Sequence, residues 1–493
     1  MALSQFLILF FAMTLLMGCQ DSTSSKSQAN SQPRSNSDAS NHTSNTSVHP
    51  KKSNKEYEEL THSDSLVPLE NFFSKDTQAY AFMQPSLKPL KAGGGVAAQN
   101  CRLCHTKIYG EWKQTTHAWA LHDLQFLAEL TKTGSPKWLC LNCHIPNQDQ
   151  REYKITGLDK GNVLKPVIQP NPNFNQALQQ EAINCAACHL RQNQQGETVV
   201  LGGIGNTSAP HPVKHDPQAL RNTCLRCHDP QGQSITPNLI CWFKTQDELK
   251  SNPDPSVRKQ DCVSCHMPTR TGPIVNGGPN RLRHLHHWVG GGIPKMTQGF
   301  DSLKSRGYKS GLKLKSIIEG DQLKLGLTNI AGHALPSADP ERYYRIEVIQ
   351  KSSDQIIGDS IVRIGQVWQW SPAQKLGDTR LMGGEKKNIQ FRILNNVHSI
   401  EVIVSHHRLS VENMLHMKQA PVDENLYPGA LAKIKEMEKN YPRMRFTHKV
   451  SYSRDPALGA VVVNPGDWVK EKFTFEMLNQ LSIEKNQTLD PHY

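Results

Sequence analysis

Residues 101–105 read "CRLCH", and the same five-position pattern returns as "CLNCH" at 140–144, "CAACH" at 185–189, "CLRCH" at 224–228 and "CVSCH" at 262–266. Ten of the twelve cysteines fall in these copies, in pairs two residues apart, and a histidine follows every pair. The pattern is that of covalent haem attachment: each cysteine reaches one vinyl group at a haem edge, and the histidine beside it lies over the iron. This makes Cys101, Cys104, Cys140, Cys143, Cys185, Cys188, Cys224, Cys227, Cys262 and Cys265 the thioether residues, and His105, His144, His189, His228 and His266 the proximal ligands of five haem c groups.

Paired cysteines two residues apart also build four-cysteine zinc sites, but zinc leaves the fifth position unexplained. Histidine after all five pairs by chance is on the order of 10⁻⁷ at ordinary histidine frequency, and redox disulfides fail for the same reason. The motif starts lie 39, 45, 39 and 38 residues apart, too loose for a structural repeat. About forty residues per haem cannot close a hydrophobic core alone, so the haem faces are expected to be the core and the polypeptide a thin wrapping around them.

The 493 residues allow two or three domains. With 37% hydrophobic residues and a mean hydropathy of -0.56, a polytopic membrane protein is excluded. The formal net charge of +12 is opposed by two propionates per haem, leaving about +2 in the loaded protein, so the basic pI of 9.0 gives no case for nucleic acid.

The one long apolar run, "FLILFFAMTLLMG", ends at Leu16-Met17-Gly18-Cys19, which resembles a bacterial lipobox; an ordinary secretory signal is the alternative, and no Lys or Arg precedes the run. Acylation at Cys19 would tie the chain to a bilayer, and Gln20 in place of Asp suggests the outer membrane. Residues 1–19 are therefore expected to be signal, and 20–60 a disordered Ser/Asn-rich tether in which His42 and His49 have no role; His62, just beyond it, has none either.

Each iron has a second axial position, and the remaining histidines compete for it. "IYGEWKQTTHAWALHDLQFLAEL" predicts an amphipathic helix with His117, Leu121, Leu124 and Ala128 on one face. His122, about 140° round that helix, cannot serve the same iron as His117. His211 and His215 sit in a proline-stiffened loop, "APHPVKHD", where one of them is an expected ligand. His333 is a loop histidine in "NIAGHALPSADP", with an ordinary turn residue as the alternative. "RLRHLHHWVGGG" at 281–292 follows the last motif; His286 is its favoured ligand, with His284 and His287 as a second ligand or as propionate partners.

"CRLCHTKIYGEWKQTTHA", "EAINCAACH", "CLRCH" with "CWFKTQDELKSNP", "CVSCHMP" and "HHWVGGG" together resemble the cytochrome c-554-like multihaem c-type cytochromes over roughly residues 95–300. That resemblance implies mostly bis-histidine, low-potential haems packed edge to edge, with a short region of strands after them. It maps the helix histidine onto His117, the histidine of the His-x-aromatic-x-Gly motif onto His286 and that of Gly-His-x-x-Pro onto His333. Two departures stand out: Gly292, where relatives often have histidine, and Ala338, where they have glycine.

From about residue 311 the pattern turns to period two, in "LKLKSIIEGDQLKLGL", in Tyr344/Ile346/Val348, in Ile389/Phe391/Ile393 and in Ile400/Val402/Val404, with turns at "EGD" and "MGG". A small β-sandwich is expected, interrupted by a helical piece, "PGALAKIKEMEKNY". His406 and His407 read as surface residues at a strand end, and Cys241 as a buried, inert thiol.

The fold class is thus α+β and multidomain: a mainly helical and loop pentahaem region at 61–310, then a β-rich domain at 311–493. The expected function is electron transfer along covalent haems between redox partners, such as other cytochromes or quinol-oxidising complexes, on the periplasmic side or surface of a bacterial cell envelope. Two rivals remain. One is an oxidoreductase acting on a small nitrogen or sulfur compound at a five-coordinate haem, which would need acid, base or cationic groups at an open axial position. The other is a subunit of a larger conduit, with the β-region as docking module.

Overall fold

The computed structural model describes residues 66–67, 85–90, 94–132, 134–205, 208–229, 244–293, 300–370, 373–453 and 461–463. All of them belong to one compact unit, Ser53–Tyr493. The lipobox, the whole of the tether and Cys241 lie outside the described residues.

Each haem motif sits on or against one short helix: Ala98–Arg102, Lys137–His144, Cys185–His189, Leu225–His228 and Cys262–His266. Helical turns place positions i, i+3 and i+4 on one side, so two thiols and one imidazole face the same way. Capping residues start two of these helices. The Asn184 side chain accepts from the backbone N–H groups of Ala186 and Ala187, and Asp261 accepts from that of Ser264. In the first copy the helix ends at Arg102, and His105 opens the next one, Thr106–Lys113.

Three small sheets brace the loops between motifs. They are β1 (Leu66–Val67), β2 (Tyr153–Asp159) and β3 (Pro166–Pro170); β4 (Leu190–Gln192), β5 (Thr198–Gly202) and β6 (Val213–His215); and the hairpin β7 (Thr269–Pro273) with β8 (Asn280–His284). Apolar packing here is scattered in small groups, such as Ala98, Tyr109, Trp112 and Ala118, or Leu121, Ile145 and Ala182.

The single helix expected through His117 does not form. Helix Thr106–Lys113 stops, turns cover residues 114–122, and a new helix starts at Leu124. The Thr115 hydroxyl donates to the Trp112 carbonyl and accepts from the Ala118 N–H, competing with the helical ladder. The Asp123 side chain then caps the restart by accepting from the Gln125 N–H. Leu121, Leu124 and Ala128 are buried as expected, but through two segments.

The later part is a two-sheet sandwich. One sheet runs β14 (Lys386–Arg392), β10 (Gln322–Asn329), β9 (Leu312–Glu319). The other runs β13 (Ala373–Asp378), β12 (Gln355–Trp370), β11 (Tyr343–Ser352), β15 (Ser399–His407), β16 (Met444–Ser453), β17 (Val461–Val463). Strict alternation along β10 turns Leu323, Leu325 and Leu327 inward against Ile346, Val348, Val402 and Val404 of the second sheet.

The helical piece expected at 428–441 forms as Ala430–Lys435 and Met437–Asn440. With helix Val411–Met417 it packs on Leu124, Leu127 and Ala128, giving the haem-motif region and the strand-rich region one shared core. His406 and His407 are 4% and 1% exposed, not surface residues. Their strand lies inside the six-stranded sheet, between β11 and β16, so its end is covered on both edges.

Candidate haem sites

Four of the five motif histidines are oriented by the same contact. Nδ1 of His105 bonds the Ile274 carbonyl (2.9 Å), that of His144 the Ala120 carbonyl (2.7 Å), that of His189 the Leu201 carbonyl (2.9 Å) and that of His266 the Val289 carbonyl (2.9 Å). A carbonyl only accepts, so Nδ1 carries the hydrogen and Nε2 keeps its lone pair for a metal. Burial pushes His144 and His228 down to about 4, which keeps the neutral, ligating form at physiological pH.

Three of these imidazoles face a second one across a matching gap. Ring centroids are 6.2 Å apart for His228 and His117, 6.1 Å for His189 and His286, and 6.3 Å for His266 and His333. Two iron–nitrogen bonds of about 2 Å, plus about 1.1 Å from each nitrogen to its ring centre, span about 6.2 Å. The gaps therefore fit one iron each. Burial first, then neighbouring imidazoles, pushes His117 and His286 down to about 3. Nδ1 of His286 bonds the His284 carbonyl (3.1 Å) and that of His333 the Ala334 carbonyl (3.0 Å), leaving Nε2 free in both.

Trp288 stands edge-on to both His117 (5.0 Å) and His286 (5.2 Å) and fixes their planes relative to each other. Its φ of 42° places a bulky residue in the left-handed region, a strain located at the site. The Glu111–Arg283 pair was not legible in the sequence. Arg283 Nη1 and Nη2 donate to Glu111 Oε2 (2.9 Å) and Oε1 (2.6 Å), and the His286 N–H also donates to Oε2 (3.0 Å). Against the upward push of burial, the bond to Arg283 holds Glu111 below its ordinary value. Glu111 thus clamps the backbone of His286 from 175 residues away, beyond any spacing signal.

The other candidates are placed differently. His122 Nε2 is bonded to Gln180 Oε1 (2.8 Å), and its ring lies on Tyr427 (4.6 Å). His211 is half-buried with an enclosed, unpartnered Nδ1, while His215 is exposed at the end of β6. Nδ1 of His284 bonds the Met267 carbonyl (2.6 Å), and His287 is half-buried. Among the described residues His105 and His144 face no imidazole across an iron-sized gap; the His144 ring is stacked on Phe126 at 3.5 Å.

The motifs converge through their cysteines. Cys101 is hydrogen-bonded to Cys185, Cys143 to Cys227, and Cys224 to Cys262, while Cys188 acts electrostatically on Cys227. Two thiols and one imidazole on the same side of a short helical turn are the donor set that haem c takes.

Residues 100–169, which hold the first two motifs, match the family described as cytochrome c554 and c-prime. That match is confined to the first two of the five motifs. The chain as a whole carries five such motifs. It is also similar to the crystal structure of a penta-heme cytochrome c552 from Thermochromatium tepidum, at 17% identity and a TM-score of 0.47, over 72% of this chain and 98% of that one. No curated protein matches the chain.

Proposed function

We propose that this chain is a multihaem c-type cytochrome that carries five haems, one on each Cys-x-x-Cys-His motif, and relays electrons between redox partner proteins of the bacterial cell envelope. His117, His286 and His333 are the distal ligands opposite His228, His189 and His266. The three iron-sized imidazole gaps carry this reading. Bound haem supplies a one-electron iron couple; the chain's residues set spacing, ligation and enclosure. The cysteine contacts order the sites as 1, 3, 4, with sites 2 and 5 both beside site 4.

The partners fit other cytochromes or quinol-oxidising complexes, and Cys19 is the lipid attachment point, holding the chain at the outer membrane on its periplasmic side or surface. Mass spectrometry of tryptic peptides should find haem on all five motifs and acyl chains on Cys19. A mature chain beginning beyond Cys19 would exclude the anchor. Replacing His286 with Met should raise one midpoint potential; an unchanged redox titration would remove His286 as a ligand.

A second reading, turnover of a small nitrogen or sulfur compound at an open iron, draws on His105 and His144, which have no facing imidazole among the described residues. Electron paramagnetic resonance separates the two. Purely low-spin signals, insensitive to cyanide and nitrite, favour the carrier; a high-spin, ligand-responsive haem favours the enzyme.

A further inference from the structure

A buried cation beside the second haem motif belongs neither to the haem ligands nor to the clamp on His286. Arg151 follows the short 3-10 turn Gln148–Gln150 and is 5% exposed. The Asn147 N–H donates to Gln150 Oε1 (3.0 Å) across that turn, and the Asn171 side chain donates to the Arg151 carbonyl (2.8 Å), so the backbone is fixed on both sides. The guanidinium lies back against helix Lys137–His144. Its Nη2 donates to the Trp138 carbonyl (3.1 Å) and its Nη1 to Asn142 Oδ1 (3.4 Å).

Both acceptors are neutral. Among the described residues the charges acting on Arg151 are those of Cys140 and Cys143, the two thiols of that motif, and no carboxylate is with them. Once thioether bonds form, neither sulfur can ionise, and the guanidinium keeps its charge among neutral partners. Enclosing a cation without an anion costs stability, and the same enclosure leaves its field poorly screened.

That field falls on one site. Among the described residues Arg151 acts on the thiols of the second motif and of no other. Reduction adds an electron to an iron held by His144 of the same helix, so a fixed positive charge beside that helix favours the reduced form. Because the guanidinium acts on both thiols, it stands at the thioether edge of a haem they hold. The propionates leave the ring at the opposite edge and do not cancel the charge.

We propose that Arg151 sets the potential of the second-motif haem, as an enclosed cation held against helix Lys137–His144 that draws an electron onto that iron. The proposal rests on haem occupancy of Cys140 and Cys143. Arg151→Gln removes the charge and keeps a donor for the helix. It should lower one midpoint, by about tenfold in its reduction equilibrium or ~59 mV for one electron, and leave the other midpoints and the absorption spectrum in place. Arg151→Lys keeps the charge and should retain most of the wild-type midpoint.

Should Arg151→Gln fail to fold, Arg151→Met, which fills a similar volume without an orphaned donor, reads the same midpoint. Folded, fully haem-loaded variants with unchanged midpoints would overturn the proposal. So would an equal fall in Arg151→Lys, which would trace the effect to packing. A shifted propionate bending band in resonance Raman spectra of Arg151→Gln would overturn it too, by pairing the guanidinium with a propionate. Peptide mass spectrometry showing no haem on Cys140 and Cys143 would instead remove the five-haem reading beneath it.

Discussion

The haem-motif region and the sandwich solve the same folding problem by different means. Between β9 and β17 fourteen buried residues form one continuous cluster, drawn from both sheets. Among the described residues the region around the motifs shows groups of three or four, such as Leu87, Leu90, Ala186 and Leu190, besides the core it shares with the helices after β15. One part is held by its own side chains; the other has small clusters that haem faces would join into a core.

The widest test of that difference is to withhold the haems. A variant with every motif cysteine changed to Ala should lose amide protection across residues 94–293 while β10, β11 and β15 keep theirs, read by hydrogen exchange. A native far-UV circular dichroism spectrum from that variant would break the comparison.

The reverse test removes packing from the sandwich. Ile346 is fully buried between the sheets, and Ile346→Ala should cost about 2–5 kcal/mol in urea unfolding followed in the strands. The haem absorption spectrum at low urea should be unchanged. A shift in that spectrum would show that the two regions do not report separately.

What the sequence made legible follows from the range of each signal. The thioether residues and proximal histidines occupy five adjacent positions, and the hairpin β9–β10 is written in alternation around Gly320, whose φ is +60°. The facing of one imidazole by another is not local: His117 meets His228, and His286 meets His189, only after the chain has folded back. The family resemblance implies His117, His286 and His333 as ligands, whereas Glu111 and Arg283 carry no such signal. His406 and His407 were misread for a related reason, since alternation shows that a strand exists but not that two others flank it.

Acid should act on the sandwich through its enclosed histidines. Burial, with Arg445 adding to it, pushes His448 down to about 4. The unfolded chain takes up a proton near pH 6.5 that the folded one refuses until about pH 4, so stability is full above 6.5 and falls as pH drops through that window. This one group is worth up to about 3 kcal/mol. The difference in urea stability between pH 7.5 and pH 4.5 should shrink by about that much in His448→Gln; an equal difference in both proteins would place the acid sensitivity elsewhere. His406 and His407, also held well below their ordinary values by burial and nearby arginines, act in the same direction.

The two departures from the family pattern give the finest comparison, one in each region. Gly292 has φ +67°, and a Cβ there would stand 2.3 Å from the Tyr308 hydroxyl, so the space a histidine would need is filled by a tyrosine that bonds Arg445. Ala338 shows the opposite case: its φ is +65°, the left-handed region that relatives meet with glycine, and this chain meets it with a Cβ. Relieving that strain gains about 1–2 kcal/mol, while a glycine gives back about 0.4–1 kcal/mol through the freedom of the unfolded chain. Ala338→Gly should therefore raise stability by no more than about 1.6 kcal/mol and leave the absorption spectrum of the bound haems as it was. A loss of stability would mean that the methyl group of Ala338 makes packing contacts worth more than the backbone strain it imposes.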